Sequence, residues 1–244
     1  SHDTLLLTEA DCEIPNKHWI SDMQEAFQDK TQIVLGFGTY KTDKGLLNML
    51  IRFDAFLVAM NYFSFALARI PFMGVGRNLA YSKALFYQKN GFINHLNINA
   101  GDDDLFINNV ANKENTEICI APSSFTYTEG EKHFSTWMKR KSRNILTGSM
   151  YKARHRLLMR MYPLSLFAFY STAILLIIIN SWVVIVLPVL FVRTLGFLIL
   201  QKSALQKLKE QKLLLFSPVL EVFIYFIRAL VMAINIFNSK YTWK

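Results

Sequence analysis

Three groups of side chains in this 244-residue sequence have the types and spacing that chemistry needs. The first is Glu9-Ala10-Asp11, directly after an apolar run at residues 5–8 that reads as a buried strand. Ligands of α/β sheets gather at the carboxyl ends of strands. Two carboxylates there suit a hard divalent cation, Mg2+ or Mn2+, which takes oxygen ligands and often shares its other positions with substrate phosphates. A solvated acidic turn is the plainer alternative. The second group is Gly101-Asp102-Asp103-Asp104, leading into LFINNV. An acid in the first turn of a helix serves as a cap and answers the helix dipole. Three in a row exceed that need, and their mutual repulsion favours one as a general base. The third group is Trp137-Met138-Lys139-Arg140-Lys141-Ser142-Arg143. Its cations suit a departing phosphate group and Trp137 offers an apolar face to a sugar ring, although lipid headgroups would draw the same cations. Between these groups lies Gly74-Val75-Gly76-Arg77-Asn78, where glycines permit close backbone approach; as a dinucleotide fingerprint it is incomplete and is rejected.

The elements that must position these groups read as alternating strands and helices. Residues 5–8 and 32–37 have the short apolar runs of buried strands, and residues 17–28 form a helix with Trp19, Met23, Ala26 and Phe27 on one face. Residues 46–68 predict a long helix ended by Pro71; its 14 uncharged residues, 55–68, are too few to cross a bilayer. A short strand at 78–81, helices at 83–89 and 102–110, and edge strands at 118–121 and 125–128 complete an α/β or α+β layout.

Composition divides the chain near residue 162. The whole is 52% hydrophobic with 27 basic and 18 acidic residues, net +9, and its mean hydropathy is +0.22. That excludes a disordered chain and argues against an ordinary soluble domain. Residues 163–192 are thirty in succession without a charge, and from 163 to 200 only Arg193 carries one. A single helix over that length would measure about 57 Å against a hydrocarbon core of about 30 Å, so a hairpin of two spans, 163–179 and 183–200, with its turn at Asn180-Ser181-Trp182, is the better solution. No acidic residue stands between Lys132 and Lys209, and basic residues flank both spans, which puts the flanks and the soluble part in the cytoplasm. The basic belt is thereby assigned to anionic lipid and not to nucleic acid. Residues 217–238 are apolar but hold Glu221 and Arg228, so a helix in the membrane interface or packed on the soluble part is expected. Cys12 and Cys119 form neither a disulfide framework nor a zinc spacing.

In order, the segments LLLTEADC, IVLGFGTY, GVGRNLAY, GDDDLFIN and WMKRKSRN, then YPLSLFAFY, the hairpin and YTWK, resemble the bacterial membrane-anchored glycosyltransferases of family 2 over the whole chain. The resemblance implies a partial GT-A-type mixed sheet flanked by helices, followed by the transmembrane hairpin and an interfacial C-terminal helix. It implies inverting transfer of a sugar from a nucleotide-sugar, a UDP-sugar by expectation, to a lipid or saccharide hydroxyl at the cytoplasmic face of the inner (plasma) membrane, in polysaccharide, glycolipid or cell-envelope synthesis. By the same resemblance Asp11 and Glu9 fall on the metal motif for Mg2+ or Mn2+. Asp103, with Asp102 beside it, falls on the catalytic base. Arg140, Lys141, Arg143 and Asn78 fall to the donor diphosphate, and Trp137 to the acceptor. Glu9 stands where the family has Asp, Arg140 where it has Gln, and Asn144 where it has an aromatic or His. The expected units are residues 1–148 for the catalytic part, 149–162 for a basic juxtamembrane helix, 163–201 for the hairpin, and 202–244 for a basic linker and interface helix. The family's first nucleotide-binding strand and helix precede its metal motif and do not precede it in this sequence, so the chain alone is expected to bind donor poorly. A non-catalytic membrane-anchored scaffold of the same fold is the rival reading.

Overall fold

The computed structural model describes residues 2–28, 30–93, 101–180 and 182–237; the side chain of Asp102 and the closing YTWK lie outside that description. A four-stranded mixed sheet is built from β1 (Thr4–Leu7), β4 (Leu79–Ser82), β2 (Ile33–Leu35) and β5 (Thr116–Ile118), in that order. β4 runs antiparallel to both β1 and β2, and β5 lies parallel to β2. A second, two-stranded parallel sheet pairs β3 (Gly38–Tyr40) with β6 (Thr126–Thr128). The central strand shows why these residues form a sheet. In β2, Ile33 and Leu35 face the main core while Val34 faces a smaller one with Trp19, Met23, Ala80 and Cys119. Alternation of period two thus buries both faces. Helix α1 (Trp19–Glu25) covers the smaller core. The main core is filled by α2 (Leu46–Leu67) and α4 (Asp102–Val110), with α3 (Lys83–Gln88) at its margin.

The strand expected over 32–37 is two strands, and the cause is local. At Gly36 a Cβ would lie 2.4 Å from the Asn78 side chain, so only glycine can pass there. Past this crossing the chain exchanges β4 for β6 as its partner.

Helix α5 (Phe134–Gly148) leads to the hairpin of α6 (Ala153–Ile178) and α7 (Val183–Lys207). The turn between them is made by Asn180 and Trp182, both with left-handed backbone, φ 51° and 64°. Helix α6 starts ten residues ahead of Pro163, so the basic segment Arg154, Arg156 and Arg160 is the first part of the same helix and not a separate one. Both helices are apolar and turn outward: 11% and 6% of their most hydropathic windows are buried, against 67% for α2, which meets the same criteria of length and composition but lies inside the domain.

After α7 the chain returns to the domain. Leu205, Leu208 and Leu213 are buried in the main core, and α8 (Ser217–Phe237) packs along α5, α2 and α7. The residues expected to form a linker are core. Helix α8 keeps an apolar outer face of Val219, Phe223, Phe226 and Leu230 while Glu221 and Arg228 turn inward. Glu221 accepts from Arg193 of α7 at 2.6 Å and from the Tyr162 hydroxyl of α6, so both charges in the apolar region are paired.

Candidate active site

Where β1 ends, the chain turns sharply, and the Cys12 amide donates to the Glu9 carbonyl at 3.0 Å. This turn brings one carboxylate oxygen each from Glu9 and Asp11 and the Sγ of Cys12 within 4.8 Å of one another. Asp11 is oriented from the small sheet, because Thr128 Oγ1 donates to its Oδ2 at 2.8 Å. Thr128 lies in register with Tyr40 on β3, and a bridge from Glu13 to Tyr127 stitches the acidic turn to that sheet.

Two guanidinium groups stand over the Tyr40 ring, Arg77 with its Cζ 4.5 Å from the centroid and Arg140 at 5.0 Å. Arg77 comes from the one-turn 3-10 helix Gly76–Asn78 that precedes β4, and Arg140 from α5. Arg140 donates to Glu131 at 2.6 Å.

Helix α4 delivers Asp103. Its Oδ2 accepts the Gly76 amide at 2.5 Å and its Oδ1 accepts the Asp104 amide at 2.8 Å. The acids sense each other. Glu9 is exposed, yet partial desolvation of its carboxyl, aided by Asp11 and Asp103, raises its pKa against the pull of Arg77 and Arg140. Glu9, Asp11, Asp103, Arg77 and Arg140 therefore share one electrostatic neighbourhood although they come from four separate segments.

Asp104, next in line, turns into the protein. The Tyr151 hydroxyl donates to its Oδ2 at 2.5 Å and Thr147 Oγ1 at 3.2 Å, while its Oδ1 is buried without a partner. Burial first and Asp103 second push its pKa up to about 7. This acid joins α4 to the end of α5 and to the residue pair that opens α6.

Of the residues expected from sequence, Glu9, Asp11, Asp103 and Arg140 gather here, and Arg143 lies exposed on α5. Three others do not join them. Asn78 is wholly buried and its side chain is committed, accepting from Trp19 Nε1 at 3.0 Å and donating to the carbonyls of Phe37 and Ser124 at 3.1 and 2.6 Å. Lys141 points to the other side of α5 and pairs with Asp54 of α2. Trp137 is 1% exposed and belongs to the main core, 5.5 Å from Phe134, so it presents no face to a ligand. An amphipathic helix explains both: α5 has one buried face, and positions 137 and 141, four apart, share it. Arg77, Tyr40 and Cys12 were given no role from sequence, and Asp104 was marked only as one of three acids at a helix start. The signal for Arg77 was its place after two glycines, in a segment set aside because it failed as a dinucleotide motif.

The donor set of the turn fits a divalent cation. Two carboxylates suit Mg2+ or Mn2+, and the thiol adds a softer ligand that Mn2+ tolerates better than Mg2+.

The profile of the glycosyl transferase family group 2 matches residues 23–201. No curated protein matches the chain significantly. Among solved structures, the mannosyltransferase PcManGT from Pyrobaculum calidifontis, determined in complex with GDP-Man and Mn2+, is similar at 13% identity and a TM-score of 0.47. The likeness covers 90% of this chain and 62% of that one, so the present chain spans less than two thirds of that enzyme. With the family profile running through well over half of its length, from α1 to the second hairpin helix, the chain belongs to the glycosyl transferase family group 2.

Proposed function

We propose that this chain carries the catalytic half of a membrane-anchored, inverting glycosyltransferase of GT-A type that moves a sugar from a nucleotide-sugar, a UDP-sugar by preference, to a lipid or saccharide hydroxyl at the cytoplasmic membrane face. The observation that carries the reading is the convergence of Glu9, Asp11 and Asp103 with Arg77 and Arg140 in one cluster. Residues 2–148 hold that cluster, the hairpin of α6 and α7 fixes it at the bilayer, and the residues after the hairpin close the domain from behind.

The roles follow from charge. Transfer breaks the bond between the sugar C1 and the diphosphate oxygen and forms one between C1 and the acceptor oxygen, so negative charge grows on the leaving group while the acceptor hydroxyl loses a proton. Arg77 and Arg140 oppose the first change by stabilising the departing anion. Asp103 takes the proton of the second, with Asp102 as the other acid at the same helix start. Glu9 and Asp11, with Cys12, hold the divalent cation, which when bound neutralises charge on the diphosphate. One base and one displacement give inversion at C1.

The test is transfer by the full protein in membranes supplied with UDP-sugar and Mn2+. Asp103→Asn is expected to abolish transfer with donor binding kept, and chelation to stop it. Full transfer by Asp103→Asn assigns the base to Asp102, to be checked in Asp102→Asn. A product that keeps the donor's anomeric configuration refutes the inverting mechanism, and absence of any metal-dependent turnover refutes the enzyme reading in favour of the scaffold.

A further inference from the structure

We infer that Arg77 is a preformed anion-binding residue of this site, the group that receives the donor's diphosphate before Arg140 does; the inference rests on the transferase reading above. Four observations converge on it. First, the backbone of Arg77 is fixed, since its carbonyl accepts Thr126 Oγ1 at 2.9 Å. The neighbouring Gly38 leaves room for it: a Cβ there would stand 2.7 Å from Arg77 Cβ. Second, the guanidinium is oriented by the buried ring of Tyr40, at 4.5 Å. Third, it makes no hydrogen bond or ion pair among the described residues, and its Nη1 is both shielded from water and without an acceptor. Fourth, four other cations of the domain are claimed by carboxylates: Arg140 by Glu131, Lys141 and Arg228 by Asp54, and Arg52 by Glu210.

A shielded guanidinium without a carboxylate is costly to the folded chain, and a native protein that retains one has a use for it. The charge is also in the right place. Arg77 acts on Glu9 electrostatically without pairing with it, so an anion carried on a divalent cation at Glu9 and Asp11 would come within its field. Arg140 differs, because an anion must first displace Glu131 from it. The asymmetry assigns an order: Arg77 binds as the site stands, and Arg140 closes after its carboxylate is released.

The plainer role for Arg77 is counter-charge to the three acids, and the two roles predict opposite behaviour. The experiment uses the full chain in detergent micelles, with Mn2+ alone and then inorganic pyrophosphate with Mn2+ as probes, read by calorimetry and by the electron paramagnetic resonance of free Mn2+. Arg77→Met is expected to weaken the Mn2+-dependent binding of pyrophosphate roughly 10- to 100-fold, the range for a lost hydrogen bond to a charged group. The affinity for Mn2+ alone stays level or tightens, because a positive charge has left the neighbourhood. Arg77→Lys recovers only part, since an ammonium neither stacks on Tyr40 nor offers a planar fork. Should Arg77→Met fail to fold, Arg77→Lys carries the test with an expected loss of at least about threefold. Pyrophosphate bound as in the wild type, or Mn2+ affinity falling in step with pyrophosphate affinity, overturns the inference and leaves the transferase reading standing. Wild-type protein that binds neither Mn2+ nor pyrophosphate overturns both.

Discussion

Asp54 is the point at which three helices meet through charge, and Asp54→Asn tests the account of the fold and of Lys141 together. Asp54 sits on α2, is 3% exposed, pairs with Lys141 of α5, and accepts from Arg228 of α8 at 2.9 Å. Burial pushes its pKa up, but the ammonium and the guanidinium more than offset that and hold it below the ordinary carboxylate value. It is therefore ionised at neutral pH. The amide keeps the size of the side chain and removes the charge, leaving two cations facing each other with no counter-ion. Breaking a buried pair in this way costs about 3–5 kcal/mol, a large part of the roughly 5–15 kcal/mol by which domains are stable. The assay is denaturant unfolding in micelles, followed by the emission of the tryptophans, of which Trp137 lies on the same face of α5. Lys141→Met should cost a comparable amount, because it strands Asp54 with Arg228 alone, and the double variant should lose less than the sum of the two. The sign with pH is fixed as well: this stability is present above about pH 4 and is lost as acid protonates Asp54 below its ordinary value. An Asp54→Asn protein within about 1 kcal/mol of the wild type would refute the reasoning, since surface pairs cost that little and buried ones do not.

Other perturbations give distinct outcomes. Asp104 keeps its proton in the folded chain up to about pH 7, well above the ordinary 3.8, so its contribution to stability is full below about pH 4 and declines as the pH rises through 7. Asp104→Asn should flatten that slope, whose ceiling is about 4 kcal/mol at 1.36 kcal/mol per pH unit, as read from unfolding midpoints between pH 4 and 8. Glu131→Gln frees Arg140 and should tighten Mn2+-dependent pyrophosphate binding about threefold or more, measured by calorimetry; weaker binding would mean that Glu131 orients Arg140 for the ligand. Trp137→Ala opens a cavity in the main core and should cost about 3–5 kcal/mol in the same unfolding assay, whereas a residue that served only the acceptor would cost little. Arg193→Ala leaves Glu221 buried without its cation, and α8 should become susceptible to limited proteolysis in micelles at protease levels that spare the wild type.

The hairpin was legible because one-dimensional signals suffice for it: an uncharged run, its length against the bilayer, and basic flanks. The strand and helix order was legible for a similar reason, since apolar periodicity marks β2 and α2 wherever they sit. The crossing at Gly36 was not, because the side chain that demands glycine there is Asn78, far along the chain. The acidic turn and the start of α4 announced themselves by composition, and Glu9, Asp11 and Asp103 lie in one charged cluster. Lys141 and Trp137 were misplaced because a run of cations does not reveal which face of its helix is inside. That depended on Asp54, 87 positions earlier than Lys141. Arg77 had only its place after two glycines to mark it; what distinguishes it is a guanidinium nitrogen without an acceptor, which only packing reveals.

The return of the chain to the core after α7 has a consequence for biosynthesis. Asp54 and Arg228 are 174 residues apart, and Arg52 and Glu210 are 158 apart, with both hairpin helices between them. At about 5–20 residues per second, a ribosome needs roughly 9–35 s to make the partner of Asp54 after Asp54 itself. During that interval α2 stands without the Glu210 and Arg228 that answer its buried charges. The hairpin is thus an insertion in the domain and not a tail upon it. Closure of the core waits on the residues that follow the hairpin, and a chain that stops before them is left with its core open.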